Sequence, residues 1–268
     1  MKSLMDIVKG RKSVRTFDGN VINEEDRKDI ENYITGITNP FDVHVEFLLL
    51  DADRYGLSSP VLSGERLYIA GKVEKTEYAA VAYGYSFEKL VLHAWDKGLG
   101  TVLIGGTMKR ELFEAAAGVK GGEMMPCVTP LGYPAKKRSV KEIMMRKGIG
   151  ADSRISAEKL FFKDKWGSPL NAEGDMAEIL EMVRWAPSAV NKQPWRIVYK
   201  DGTYHFYEKK DAGFDRPETG DLQKIDMGIA LCHMCMGLEE KGINAEVVIG
   251  DPGLDIPEGA EYIVSVRV

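Results

Sequence analysis

Long apolar runs are missing from this chain. No stretch reaches the ~18 uninterrupted apolar residues of a membrane-spanning helix, so no span is expected. Met1-Lys2-Ser3-Leu4-Met5-Asp6-Ile7-Val8 likewise lacks the apolar core of a signal peptide. Cysteine is scarce. Cys127, Cys232 and Cys235 do not make a disulfide framework, and a reducing cytoplasm is the expected location. Cations are not in excess: 36 Lys and Arg stand against 41 Asp and Glu, a net charge of −5. Nucleic acid and anionic membrane surfaces are therefore not expected as partners. Any basic cluster must be local and serve a small anion. Cys232-His233-Met234-Cys235 has no second ligand pair at zinc-site spacing, so it reads as small core side chains on an apolar helix, and no metal is expected.

What remains is an ordinary globular balance. Of 268 residues, 44% are hydrophobic and 29% charged, enough for one large domain or two small ones. The chain is organised around Trp185-Ala186-Pro187-Ser188-Ala189-Val190-Asn191-Lys192-Gln193-Pro194-Trp195. Met176, Ile179, Leu180 and Val183 before it fall at i, i+3, i+4 and i+7, one face of a helix. Arg196-Ile197-Val198-Tyr199 after it starts a strand. Pro187 ends the helix, because it has no N–H to continue the ladder. Ser188 and Asn191 then offer groups that both donate and accept hydrogen bonds, suited to the edge of a planar heteroaromatic ligand. Near the N-terminus, Arg11-Lys12-Ser13-Val14-Arg15-Thr16-Phe17 follows a short helix through Leu4, Ile7 and Val8. Its cations and hydroxyls are well made to hold a phosphate.

The pattern Ala-Pro-Ser-Ala-x-Asn-x-Gln-Pro-Trp at 186–195 resembles the loop of the nitroreductase family of FMN-dependent oxidoreductases. Arg11-Lys12-Ser13-Val14-Arg15 is similar to the family's Arg-Arg-Ser-x-Arg motif for the FMN phosphate and ribityl chain, with Lys12 in place of the second Arg. The resemblance extends weakly along nearly the whole chain. Asn23 is a plausible N-cap for a helix carrying Ile30, Tyr33 and Ile34. Residues 36–41, where the family places its Pro-Ser loop, keep only a faint echo in Asn39-Pro40-Phe41. Strands are expected over 43–50 and 67–73, with a long surface connection at 51–65. Residues 79–97 form a long buried helix in which His93 is a packed core histidine. A short strand at 101–104 leads to Gly105-Gly106, which let backbone approach a ligand; in the family, this segment passes the pyrimidine and N5 edge of the flavin. Residues 111–117 are a further helix. The turn at Cys127–Pro134 precedes Lys136-Lys137-Arg138, and the family's comparable basic residues select Lys136 and Arg138.

The second half repeats the first. Arg154 and Ser156 match Arg11 and Ser13, but Glu158 takes the place of the second arginine and would repel a phosphate dianion. Strands follow at 203–207, 245–249 and 262–268, with a charged loop at 209–224 and a long apolar helix at 225–242. No counterpart of the 136–138 run follows.

The resemblance thus implies an α+β nitroreductase-like fold of two tandem halves, 1–150 and 151–268, with antiparallel or mixed sheets around long central helices. Ordinary family members build each flavin site from both subunits of a homodimer. This chain resembles such a dimer fused into one polypeptide, a monomer with one of its two sites abandoned. FMN would be held by Arg11, Lys12, Ser13, Arg15, Ile104, Gly105, Gly106, Lys136, Arg138, Pro187, Ser188, Ala189 and Asn191. NAD(P)H would be the co-substrate and a small nitroaromatic or quinone the acceptor, in ping-pong order, with no catalytic side chain because the flavin carries the chemistry. A flavin-binding module without turnover, a flavin-free relic of the fold, and a different flavin reaction such as reductive dehalogenation stand beside that reading.

Overall fold

The computed structural model describes residues 2–216 and 219–268. The first half runs α1 (Leu4–Gly10), α2 (Glu24–Thr35), β1 (Val45–Asp51), α3 (Ala52–Tyr55), β2 (Leu67–Glu74), α4 (Ala79–Asp96), α5 (Arg110–Ala117), β3 (Glu123–Met124), β4 (Val128–Leu131) and α6 (Val140–Gly148). The second runs β5 (Phe161–Lys163), α7 (Gly174–Trp185), β6 (Trp195–Lys200), β7 (Thr203–Lys209), β8 (Asp215–Arg216), β9 (Gly220–Asp221), α8 (Leu222–Glu240), β10 (Glu246–Val248) and β11 (Ala260–Arg267). Helix starts follow local chemistry. Ser3 and Asp6 form a capping box on α1, and the Asn23 side chain accepts the Asp26 N–H at 2.7 Å to begin α2.

Each half carries its own sheet. In the first, β1, β3 and β4 all pair antiparallel with β2. In the second, the order is β10-β11-β7-β6-β5, antiparallel except where β5 runs parallel to β6. The sheets flank two long helices, α4 and α8, whose sequences have too few polar positions to leave a face in water. These cross so closely that a Cβ on Gly84 would lie 2.0 Å from the Ile225 carbonyl oxygen, and one on Gly228 2.0 Å from the Val81 carbonyl oxygen. The contact is reciprocal between the halves, as across the two-fold axis of a dimer. One apolar core takes Phe87, Leu90 and Leu92 from the first half together with Trp195, Phe206 and Leu231 from the second.

Several elements depart from the sequence reading. Residues 101–104 form isolated bridges, Ser13 to Thr101 and Ile104 to Val128, and no continuous strand. The connection at 51–65 contains the one-turn helix α3. The expected charged loop at 209–224 is interrupted by β8 and β9, and α8 starts at Leu222; residues 217 and 218 lie outside the described residues. Strand β5 has no counterpart among the expected strands, since its three residues are too short for any periodicity. His93 is partly exposed rather than in the core: it stacks on Tyr33 with centroids 3.7 Å apart and meets Asp29 at 2.5 Å. Cys232 is buried in α8 with its Sγ 3.6 Å from the Met236 sulfur. Among the described residues, no helix is long and apolar enough to cross a membrane.

Candidate functional site

The segment that follows Trp185 cannot remain helical, and its escape from the helix shapes the site. Ala186 caps α7 in an extended conformation before Pro187. Val190, Asn191 and Gln193 then all adopt left-handed backbone, with φ of 42°, 59° and 51°. For a β-branched valine this is strained, and such strain persists only where the surroundings over-determine it. Here they do. The Gln193 N–H donates to Ser188 Oγ at 2.8 Å, and the Gln193 side-chain oxygen accepts the Ile155 N–H at 2.9 Å. Asn191 Nδ2 donates to the Gly150 carbonyl at 2.8 Å. The Ala189 N–H donates to both oxygens of Asp226, at 3.0 and 3.1 Å. The loop's polar side chains are thus largely engaged in holding its shape, which leaves Pro187, Ala189 and the half-exposed Val190 as a wall.

That wall closes a cavity of about 340 Å³ between the halves. Of the residues singled out in the sequence, Arg11, Ser13, Arg15, Ile104, Gly105, Gly106, Pro187, Ser188 and Ala189 line it together. Val91 and Val102 from the first half and Ile225 and Ile229 from α8 supply apolar sides. Gly105 packs closely, since a Cβ there would stand 3.3 Å from the Pro126 carbonyl oxygen. One end is cationic. Arg11 Nε and Arg15 Nη1 are buried without a hydrogen-bond partner. Burial pulls both guanidinium groups below their usual range, opposed by Glu88 at Arg11 and by Glu142 at Arg15.

A smaller pocket of about 190 Å³ adjoins this end and shares Arg11, Ser13, Pro187 and Ser188 with it. Lys12 and Asn191 line this pocket, not the larger cavity. So do Arg146 and Arg154, which the sequence reading does not assign to the site. Arg146 is held by Asp152 at 2.5 Å. Arg154 stacks on the Trp185 ring, 4.8 Å from its centroid, and donates to the carbonyls of Ser153 and Trp185, with Nε unpartnered. Burial and the nearby Arg11 charge pull its pKa down to about 10. Lys136 and Arg138 lie elsewhere. With Lys12 they line a separate surface pocket of about 570 Å³, and Arg138 pairs with Glu142 at 3.2 Å. The Lys-x-Arg spacing that selects them carries no information on which way helix α6 turns the chain after them.

Two acids also reach the cavity without a motif to mark them. Glu88 on α4 and His233 on α8 are both 0% exposed and meet at 2.9 Å. His233 Nδ1 lies 2.8 Å from the Met182 carbonyl, which can only accept, so that nitrogen carries a proton. Removing the imidazole strands a carboxyl in the core. His233→Leu is therefore expected to cost about 3–5 kcal/mol in urea unfolding, while Glu88→Gln, which keeps a hydrogen bond, costs less. Equal losses in the two variants would show that the pair does not carry the difference. Asp226 is the second acid, 4% exposed, lining the same cavity and bonded through the Ala189 N–H.

The family described as "Putative TM nitroreductase" matches residues 3–238. This chain belongs to that family. A solved Thermotoga maritima MSB8 protein, titled "putative nitroreductase", is 22% identical, covers 99% of this chain and 94% of its own, and superposes with a TM-score of 0.64. That likeness shows the nitroreductase-like fold over the full length. An FMN-dependent nitroreductase of Clostridium difficile R20291 is 17% identical, covering 53% of this chain and 95% of its own with a TM-score of 0.42. A Bacteroides thetaiotaomicron protein titled "Putative NADH dehydrogenase/NAD(P)H nitroreductase" is 20% identical over 52% of this chain and 90% of its own, with a TM-score of 0.44. No curated protein matches. In this nitroreductase-family chain the cavity thus takes its cationic end mainly from the first half and its Pro-Ser wall from the second.

Proposed function

We propose that the chain binds one FMN in the cavity between its halves and works, as a monomer, as an NAD(P)H-dependent oxidoreductase for a small acceptor of the nitroaromatic or quinone type. One observation carries the reading: buried guanidinium nitrogens of Arg11, Arg15 and Arg154 without partners, at one end of an apolar cleft. An unpartnered buried donor is costly, and an anion at that end relieves the cost. The donor set fits a phosphate monoester, and the valine and isoleucine walls fit a planar ring system. Family membership supports the flavin class of chemistry.

When bound, FMN accepts hydride from a nicotinamide and passes electrons on, which the protein itself has no group to do. Arg11 and Ser13 would hold the phosphate, with Lys12, Arg146 and Arg154 adding positive charge from the adjoining pocket. The Arg15 cation stabilises negative charge that develops beside it. Backbone N–H groups at Gly105 and Gly106 would serve the ring edge, and Pro187 and Ala189 would exclude water from one side. Nicotinamide and acceptor would take turns at the same opening, the ping-pong order.

Purified protein mixed with FMN and desalted is expected to keep about one equivalent of flavin and to lose its visible absorption anaerobically with NADH or NADPH. No retained flavin overturns the reading. Two equivalents would mean that the second half keeps a working site of its own.

A further inference from the structure

Beyond anchoring the Ala189 N–H, Asp226 has no partner that accounts for a buried carboxyl at this position. It sits in the second turn of α8, beyond the reach of the charge at the helix start, and lines the cavity together with Gly105 and Ala189. Its one hydrogen-bond donor is the Ala189 N–H, and among the described residues it has no ion-pair partner. The groups around it do not supply one. Lys224, two residues before it, is turned to Glu261 at 2.8 Å. Arg110, in the wall behind Gly105, donates to the carbonyls of Gly105 and Pro126. Cys127 is a buried thiol pushed up to about 12 by burial. Asp221, the residue that caps the same helix, and Glu208 on β7 add negative potential.

Resting on the flavin reading above, we infer that Asp226 is the proton donor to the electron acceptor. The substrate is then one that takes up hydride and a proton together, as a quinone or nitro group does. A carboxylate left unpaired in an apolar wall is costly, and holding the proton removes that cost. Burial holds the Asp226 carboxyl well above its usual range, the Ala189 bond opposes this, and Asp221 and Glu208 add to it. Its surroundings therefore favour the protonated acid. For a quinone, the bound cofactor would supply the hydride. The O–H bond of Asp226 breaks as its proton passes to the acceptor oxygen, and hydroquinone results. For a nitro group, the same hydride and proton give the nitroso compound and water. The Asp226 carboxylate then recovers a proton from solvent through the cavity mouth.

The test uses the flavin-loaded protein and two acceptors. A benzoquinone needs hydride and proton; ferricyanide takes single electrons and no proton. Asp226→Asn keeps the shape and an acceptor for Ala189 but cannot give up a proton. Its quinone rate is expected to fall about 100-fold relative to its ferricyanide rate, the usual size of a general-acid contribution. In the unaltered chain the same ratio falls as pH rises through the Asp226 pKa, because a raised carboxyl is competent only below it. That pH profile decides the matter even if the variant does not fold. The infrared carbonyl band of a protonated buried acid, present in flavin-free protein at neutral pH and lost in Asp226→Asn, is an independent readout. Loss of both rates in parallel, or a ratio flat with pH, overturns the proposal while leaving flavin binding intact. A chain that retains no flavin overturns the functional reading itself.

Discussion

Gly228→Ala is expected to remove a large part of the stability of this protein. In an exposed helix the same change would gain up to about 1 kcal/mol, because alanine is the better helix former. Here the added Cβ would lie 2.0 Å from the Val81 carbonyl oxygen and 2.8 Å from the Tyr85 nitrogen. Both are backbone atoms of a buried helix, so no rotamer change clears the space. Separating α4 from α8 opens the core on which both sheets rest. A loss of about 4 kcal/mol or more is expected, at the extreme of single substitutions, against a total of roughly 5–15 kcal/mol for a folded domain. Gly84→Ala meets the Ile225 carbonyl at the same 2.0 Å and is expected to behave alike. The two share one contact, so their combined effect is less than additive. Urea unfolding measures the two single variants and the double. A stability equal to or above that of the unaltered chain would show that the helices do not cross at these glycines.

The second large effect lies at the cationic end of the cavity. Arg11→Ala is expected to weaken FMN binding about 100-fold, roughly 2.7 kcal/mol, the size of a buried charge-assisted hydrogen bond. Arg154→Ala, from the opposite half, is expected to weaken it about 10-fold, since its side chain lines the adjoining pocket and not the cavity itself. Lys136→Ala and Arg138→Ala should change affinity less than about 3-fold, as exposed charges act weakly through solvent. Fluorescence titration with FMN ranks the four. If Arg138→Ala proves as damaging as Arg11→Ala, the phosphate is held from the other pocket and the composite cavity is misassigned.

That ranking differs from the one motif spacing suggests, and the reason is physical. The run Lys136-Lys137-Arg138 looks like a phosphate site because its charges are adjacent in sequence. In the folded chain Arg138 turns to Glu142 instead, while Arg146 and Arg154 converge on Arg11 from either side of the junction between halves. By sequence, Arg154 matches Arg11 as part of a degenerate second phosphate motif. Folding brings it beside the first one, so the second half lends a cation to the site it faces.

Local chemistry by itself determines a good deal of this protein. Pro187 has to end α7, Asn23 has to start α2, and the apolar lengths of α4 and α8 require burial on every side. The motif at 11–15 and the loop at 186–195 are legible because their residue types and spacing lie within a few residues of one another. Tertiary structure alone decides the rest. Glu88, His233 and Asp226 sit on apolar helices where a polar residue gives no sign of its partner, and only the crossing of α4 with α8 and the seating of Ala189 supply one. The left-handed backbone of Val190 is equally invisible in the sequence, because no valine prefers it and the bonds that impose it come from Gly150, Ile155 and Asp226, distant along the chain. Short-range preferences are written residue by residue; which charges meet depends on how two halves pack, and that is a property of the whole chain.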